Sequence, residues 1–322
     1  MIKLDTENSN CQLLATQKTH SNSPLYHHTT LSLSSNSFQL SNPPSKTPIF
    51  IKDNLDLHLD YLRVSSTDLS KKSLNEVINF LFSGLDTRTI NKPWHPHPGT
   101  PKRKKYDYQI VSKAGIVLGV KKKAKYKGKN TRYAYDIMID FTGAYFANLS
   151  LLKQQELIYY LSNNYKLKCH RLDVAIDDYS RELFPVGQMI IAFMEGNQYD
   201  FEVIDDSYLD IVNNKIVGTL GIGSRRSNFF VRIYTKHQYF VRWETELKRN
   251  KSQALFNKLV DLATDNKGSG LPVGTVQKAL LDAAIGDIDF RDNSRYSNQK
   301  HVSKSKTKQL VFWQSFLNQI YS

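Results

Sequence analysis

Polar and apolar residues alternate most regularly over residues 218–248 of this 322-residue chain. Within Val231–Lys236, the side chains of Arg232, Tyr234 and Lys236 fall on one face. A period of two is typical of a strand that is buried on one side only. The pattern therefore predicts a strand whose exposed face carries a tyrosine between two cations.

A second strand with the same period follows over Arg242–Lys248. The connection His237–Phe240 is short enough for a hairpin, although it lacks an Asn-Gly turn. If the two strands pair, a tyrosine hydroxyl, two carboxylates and several cations share one exposed sheet surface. Trp243 and Leu247 occupy the apolar face of the second strand, and its polar face carries Arg242, Glu244, Glu246 and Lys248.

The remaining periodicity predicts an α+β fold, with a largely antiparallel central sheet and helices packed on its apolar face. The predicted strands are Leu55–Val64, Tyr106–Ser112, Gly115–Lys121, Arg132–Phe141, Cys169–Asp177 and Ile288–Phe290, with edge strands or a hairpin at Asp200–Ile204 and before Gly218. The predicted helices are Ser70–Leu85, Leu151–Tyr165, Gly187–Glu195, Ser252–Ala263, Val276–Ile285 and Leu310–Ile320.

Composition divides the chain into three parts. Residues 1–50 are rich in Ser, Asn, Thr, His and Pro, which predicts a disordered polar tail. Residues 51–290 form the predicted functional domain. Residues 291–322 are a basic linker followed by a C-terminal helix, which we expect to dock on the protein's own core.

The charge balance points to a polyanionic partner. There are 44 Lys and Arg against 30 Asp and Glu, a formal net charge of +14. Neutralising phosphates supplies most non-specific affinity for nucleic acid. No apolar run approaches the roughly 20 residues that span a bilayer, so we expect no membrane partner. Cys11 and Cys169 form neither a disulfide framework nor a zinc pattern, which favours a reducing cytoplasm.

Much of the positive charge lies in two segments that are predicted to be loops, Lys102–Lys105 and residues 121–132. Lysines there would bind phosphates without sequence preference. His95 and His97 are each followed by proline, which argues against a strand that presents both to a metal. The predicted DNA-binding residues are Lys102, Arg103, Lys104, Lys121, Lys122, Lys123, Arg171, Arg225 and Arg226.

The tyrosine on the alternating strand is the candidate nucleophile for phosphodiester chemistry. A phenol has a pKa near 10, so it requires activation at neutral pH. Arg232 and Lys236 flank Tyr234 and would stabilise developing negative charge. Carboxylates suit Mg²⁺ or Mn²⁺, although each could instead form a salt bridge. Which of them converge stays open; the candidate ligands are Asp173, Asp177, Glu244 and Glu246.

Four motifs in this order resemble those of the replication initiation factor family, the Rep-trans type rolling-circle initiators of small plasmids and filamentous phages, with related conjugative relaxases. The resemblance is clearest over residues 165–265. The motifs are HRLDVAIDD at 170–178, GIGSRRS at 221–227, RIYTK at 232–236 and RWETELK at 242–248.

The resemblance implies a metal-dependent enzyme that nicks one DNA strand at an origin, becomes joined to the 5′ phosphate through a tyrosine, and later rejoins the ends. Tyr234 matches the family's tyrosine, and Asp173, Glu244 and Glu246 fall at its acidic positions. The family's glutamate shortly after the motif lysine is missing here, so Tyr239 is a rival nucleophile. Further candidate partners are a host helicase and a second copy of the chain.

Two other functions fit the same basic surface. The first is a non-catalytic DNA-binding replication or regulatory protein. The second is an RNA-binding protein, because exposed aromatic and basic side chains also suit single strands.

Overall fold

A single antiparallel sheet dominates the computed structural model, which describes residues 55–94, 106–127, 130–182, 184, 208–212, 215–236, 240–265, 273–286, 288–292 and 308–321. The strands are β1 Leu55–Leu69, β2 Thr87–Ile90, β3 Tyr108–Ser112, β4 Ile116–Lys127, β5 Asn130–Thr142, β6 Lys168–Asp178, β7 Tyr208–Val212, β8 Lys215–Ile222, β9 Phe229–Lys236, β10 Phe240–Lys248, β11 Arg291–Asp292 and β12 Lys308–Gln309.

The first ten strands are ordered β2-β3-β4-β5-β1-β6-β10-β9-β8-β7, and every neighbouring pair is antiparallel. β11 and β12 form a separate two-stranded ladder. The predicted antiparallel sheet is confirmed, and the long strands β1, β6 and β10 lie at its centre. Those three strands therefore carry most of the buried charged side chains.

Helices cover one face of the sheet, as the sequence predicted. Those of the described part of the chain are α1 Lys71–Phe82, α2 Gly143–Phe146, α3 Leu151–Tyr165, α4 Arg249–Asp265, α5 Val273–Ile285 and α6 Val311–Tyr321. Ser70 caps α1, because its hydroxyl accepts a hydrogen bond from the Ser73 amide at 3.0 Å. None of these helices is long and apolar enough to cross a bilayer.

Trp243 anchors the apolar face of the sheet to the C-terminal helix. Its ring stacks on Trp313 of α6, with centroids 5.7 Å apart and planes 20° apart. Its indole N–H donates to the Thr245 hydroxyl at 3.0 Å, and that hydroxyl donates to the Ala284 carbonyl at 2.7 Å. Both tryptophans are fully buried, so α6 docks on the protein's own core as predicted.

Two local predictions were wrong, for different reasons. Residues 121–132 were expected to be a loop, but β4 and β5 continue as a hairpin until Lys127 pairs with Asn130. The alternating lysines mimic a solvated loop, whereas ion pairs such as Lys123–Asp136 hold them in the ladder. Ile288–Phe290 is buried but irregular, and the short strand begins at Arg291. The predicted tail at 1–50, the helix Gly187–Glu195 and the strand Asp200–Ile204 lie outside the described residues.

The polar face of the central strands is buried, which corrects the expectation of an exposed surface. Arg242 and Glu244 are each only 4% exposed, on the face opposite Trp243. Alternation identifies the two faces correctly, but it does not reveal that long charged side chains on neighbouring strands cover one another. We call this surface the charged face.

Candidate functional site

Strand register brings the charged residues of the central strands into rows across the charged face. Arg242 of β10 stands between Tyr234 of β9 and Asp177 of β6. Side chains directly opposite one another have Cβ atoms about 4.5–5.5 Å apart, so such rows allow direct contact. The structure thus brings together the predicted tyrosine and one of the four predicted carboxylate ligands on the same row.

Tyr234 is hydrogen-bonded to a carboxylate. Its hydroxyl donates to Glu244 Oε2 at 2.8 Å, and Arg232 forms an ion pair with the other oxygen, Oε1. Burial raises the pKa of Tyr234, and the negative charge of Glu244 raises it further. The phenol therefore keeps its proton at neutral pH. Lys236 is half-buried and lies opposite Phe240 in the ladder.

Arg242 is the central cation of this part of the face. Its guanidinium binds Asp177 through two hydrogen bonds, from Nε at 2.5 Å and from Nη2 at 2.6 Å. Nη1 also donates to Asp60 of β1 at 2.5 Å. Although burial opposes it, the carboxylates of Asp177 and Asp60 raise the pKa of Arg242. The cation therefore stays charged and fixes the two acidic side chains beside Tyr234.

A group of possible metal ligands lies next to this cation. One ligand atom from each of Asp56, His58 and Asp177 can be chosen so that all three lie within 4.8 Å of one another. The buried His58 Nδ1 lies 3.2 Å from Asp56 Oδ2 without a well-formed hydrogen bond, and its Nε2 lies 3.9 Å from Asp177 Oδ2. Imidazole and carboxylate together suit Mn²⁺ and similar divalent ions. These residues therefore fit the divalent metal that the sequence predicted.

Asp173 and Glu246, like Asp177, are held by cations. Arg171 binds Asp173 with Nη2–Oδ2 2.5 Å, and the same Nη2 lies 3.4 Å from Glu246. Lys248 Nζ lies 2.6 Å from Glu246 Oε1. Burial raises the pKa of Asp173 to about 7, although Arg171 opposes that shift. Asp173 and Glu246 thus belong to an ion-pair group that is separate from Tyr234.

A third ion pair lies further along the face. Arg63 of β1 binds Asp140 of β5, with Nε–Oδ1 2.6 Å and Nη2–Oδ2 2.5 Å. The ring of Tyr61 lies 5.5 Å from the Arg63 guanidinium and 4.6 Å from that of Arg171. This pair is as buried as the pair around Arg242. Among the described residues, no group of three metal-ligating side chains lies beside the Arg63–Asp140 pair.

Three of the predicted DNA-binding residues, Arg171, Arg225 and Arg226, lie away from Tyr234. Arg171 is opposite Lys248 in the ladder, and Lys248 donates to the Arg225 carbonyl. At about 3.3 Å per residue, Lys248 lies about 20 Å along β10 from Arg242. Arg226 is exposed in the turn before β9. These cations therefore form a separate basic end of the charged face.

The β4–β5 hairpin carries three more of the predicted DNA-binding residues. Lys122 is exposed, and its ammonium lies 3.8 Å from the ring centroid of Tyr133, which is itself exposed. Lys123 is paired with Asp136, and Lys121 lies opposite Asp136 in the ladder. A cation above an exposed aromatic ring is a combination that suits nucleic-acid contact.

The loop that contains Lys102, Arg103 and Lys104 lies outside the described residues, but its two ends are placed. Trp94 and Tyr106 pair by backbone hydrogen bonds of 2.9 and 3.1 Å. The Trp94 ring covers Gly119 so closely that a Cβ there would lie 2.3 Å from it. Gly119 is on the same side of β4 as Lys121, so the loop begins and ends over the charged face.

Sequence reasoning missed the contribution of β1 to the site. Asp56, His58 and Asp60 alternate with Leu55, Leu57 and Leu59, in the same period of two that marked β9 and β10. That alternation predicted a strand, but no chemistry was assigned to its polar face. The signal was present in the sequence, whereas the adjacency of β1 to β6 was not.

Comparison with known proteins identifies a shared fold. The chain is similar to the structure of a rolling circle replication initiator protein from Geobacillus stearothermophilus, with a TM-score of 0.55 and 19% sequence identity. The similarity covers 83% of this chain and 96% of that one. Neither a family model nor a curated protein matches. The chain thus has the fold of a rolling-circle initiator, the fold that its motifs implied.

Proposed function

We propose that this chain initiates rolling-circle DNA replication. It cuts one strand at an origin, and Tyr234 becomes joined to the 5′ phosphate. The observation that carries the proposal is the hydrogen bond from the Tyr234 hydroxyl to Glu244, on a face rich in cations. The shared fold and the net charge of +14 support it.

Glu244 is the proposed general base. Because the pKa of Tyr234 is raised, the phenol must lose its proton as it attacks, and Glu244 is already the acceptor. The Tyr234 oxygen forms a bond to phosphorus while the bond from phosphorus to the 3′ oxygen breaks. That oxygen takes a proton from water and becomes the 3′ hydroxyl. Arg232 holds the Glu244 carboxylate in place.

The joining step reverses these transfers. A 3′ hydroxyl gives its proton to water and attacks the tyrosyl phosphodiester, a new bond forms from its oxygen to phosphorus, and the bond to the Tyr234 oxygen breaks. The tyrosine then takes back a proton from Glu244. The same hydrogen bond therefore serves both directions, as microscopic reversibility requires.

Asp177, Asp56 and His58 would hold the divalent metal. Of the four carboxylates predicted from the sequence, Asp177 is the one that lies beside His58, with its Oδ2 3.9 Å from the imidazole Nε2. When bound, Mg²⁺ or Mn²⁺ would stabilise negative charge on the phosphoryl oxygens. Asp173 and Glu246 are engaged by Arg171 and Lys248, and Glu244 by Tyr234 and Arg232. Arg242 binds and orients Asp177, which differs from the other three in lying beside His58 as well.

The β4–β5 hairpin would bind DNA phosphates at a distance from Tyr234. We expect Lys122→Ala to weaken DNA binding for every sequence and to lower the slope of log K against log salt by about one. Lys72→Ala is the matched control, because Lys72 is an exposed lysine on helix α1. Fluorescence anisotropy with a labelled oligonucleotide at several salt concentrations measures the slope. An unchanged slope in Lys122→Ala would show that this lysine of the hairpin does not contact a DNA phosphate.

The proposed function is tested by mapping the covalent product. Purified protein is incubated with Mn²⁺ and a supercoiled plasmid that carries its gene and flanking DNA. The products are separated on a denaturing gel and digested to identify the DNA-linked peptide. An adduct on Tyr234 is expected. An adduct on Tyr239 would keep the enzyme and reject this nucleophile, and tight binding without nicking would favour the non-catalytic function.

A further inference from the structure

An aromatic pair lies at the edge of the candidate site. Tyr179 directly follows Asp178, which pairs with Val241, and its ring packs on Phe240 with centroids 4.9 Å apart and planes 49° apart. Tyr179 is 51% exposed. Building on the proposed function, we propose that Tyr179 and Phe240 form a stacking site for an unpaired DNA base next to the phosphate that is cut.

The pair lies close to the candidate nucleophile. Phe240 is a diagonal neighbour of Tyr234 in the ladder, because Tyr234 is opposite Arg242. Diagonal neighbours on one face are about 7–8 Å apart. Phe240 also lies on the charged face, since the Arg242 guanidinium is 5.5 Å from its ring centroid. A base on this pair would therefore flank the phosphate that Tyr234 attacks.

The turn after β6 fixes the position of Tyr179. The buried carboxylate of Asp178 accepts hydrogen bonds from the amides of Ser180, Arg181 and Phe184, at 3.0, 3.1 and 3.3 Å. The Ser180 hydroxyl donates to the same carboxylate at 2.5 Å. A half-exposed ring is thus presented by an ordered turn, which lowers the entropy lost when a ligand stacks on it.

The surrounding charge selects the kind of ligand. Half-buried Lys236 is opposite Phe240 in the ladder, whereas Arg242, whose guanidinium is near the Phe240 ring, is already held by Asp177 and Asp60. Aromatic rings beside cations are the pattern of single-strand binding, in which bases stack and phosphates pair with the cations. In a duplex both faces of a base are covered by its neighbours. The pair therefore favours an unpaired base over a base within a duplex, and the DNA of the proposed function supplies that base in its single-stranded form.

The stacking contact is tested by measuring DNA binding under conditions in which no cleavage occurs. The probes are fluorescein-labelled oligo(dT) of 16 nucleotides and a 16-unit abasic oligomer of equal charge, titrated by anisotropy in EDTA. The wild-type protein is expected to prefer oligo(dT). Tyr179→Ala is expected to weaken oligo(dT) binding about tenfold and to leave the abasic oligomer unchanged. Tyr179→Trp should keep the preference, and Tyr179→Leu should lose it despite its bulk.

The matched control is Tyr321→Ala, which removes a tyrosine of similar exposure from helix α6, on the opposite side of the sheet. It should bind both probes as the wild type does. Equal weakening of both probes by Tyr179→Ala, or no wild-type preference for oligo(dT), would overturn the proposal. A preference for oligo(rU) over oligo(dT) would overturn the assignment to DNA. Because no cleavage occurs in EDTA, these results do not depend on whether Tyr234 is the nucleophile.

Discussion

Tyr234→Phe is expected to abolish nicking while DNA binding survives. The substitution removes one oxygen and leaves the ring, so the packing on β9 is preserved. Without that oxygen no phosphodiester to the protein can form, and the loss should be about 1,000-fold or more. The measurement is the fraction of supercoiled plasmid nicked per unit time, together with the Kd for a labelled origin fragment. We expect the Kd to change by less than about twofold.

Tyr321→Phe is the control for this substitution, because it removes an exposed hydroxyl that contacts Asp282 at 3.2 Å, on the helix-covered side. It should nick at the wild-type rate. Nicking by Tyr234→Phe at more than about a tenth of the wild-type rate would reject Tyr234 as the nucleophile.

Glu244→Gln tests the role of Glu244 as general base independently of the nucleophile. The glutamine keeps an acceptor for the Tyr234 hydroxyl but cannot take its proton, so we expect slow nicking with the adduct still on Tyr234.

Arg242→Met is expected to destabilise the fold by about 3–5 kcal/mol, because it leaves two partners of a buried cation uncompensated. Asp177 is almost fully buried and Asp60 largely so. The midpoint of urea unfolding measures the loss. Divalent cations should reverse part of it, because the freed oxygens of Asp177 lie beside Asp56 and His58. We therefore expect Mn²⁺ to raise the unfolding midpoint more in this variant than in the wild type.

Arg63→Met provides the matched comparison. Arg63 and Asp140 are as buried as Arg242 and Asp177, and they lie on the same face. The loss of stability should be similar, but Mn²⁺ should not reverse it. Equal effects of Mn²⁺ on the two variants would show that the cation does not bind at Asp177. Adding Asp177→Asn to Arg242→Met should remove the effect of Mn²⁺ and confirm the site.

The period of two was sufficient to predict the fold class and the two faces of the sheet. Strands β1, β3, β5, β6, β9 and β10 appear near their predicted limits, because a one-residue shift in any of them would exchange its core and polar faces. Helix α3 begins and ends at the predicted residues. The outer part of the β4–β5 hairpin was missed because its strands consist largely of lysines, and a lysine-rich composition by itself predicts a loop.

The candidate site was predicted only in part. Motif reasoning identified Tyr234, Arg232, Glu244 and Asp177, and the structure places these four on adjacent strands. It could not separate Asp177 from Asp173, because both lie on the same face of β6. Each is held by an arginine, Asp177 by Arg242 and Asp173 by Arg171, and the difference is that Asp177 also lies beside Asp56 and His58 of β1.

The sequence by itself determined the local conformation and the side of the sheet on which each side chain lies, because alternation is set by backbone geometry within a strand. Only the tertiary structure decided which charges meet. β1 and β6 are separated by about a hundred residues of chain, yet their pairing brings His58 and Asp177 together. Tertiary packing also buries the charged face, which raises the pKa of Tyr234 and makes Glu244 its partner. Those contacts depend on strand order and register across the sheet, which no local pattern specifies.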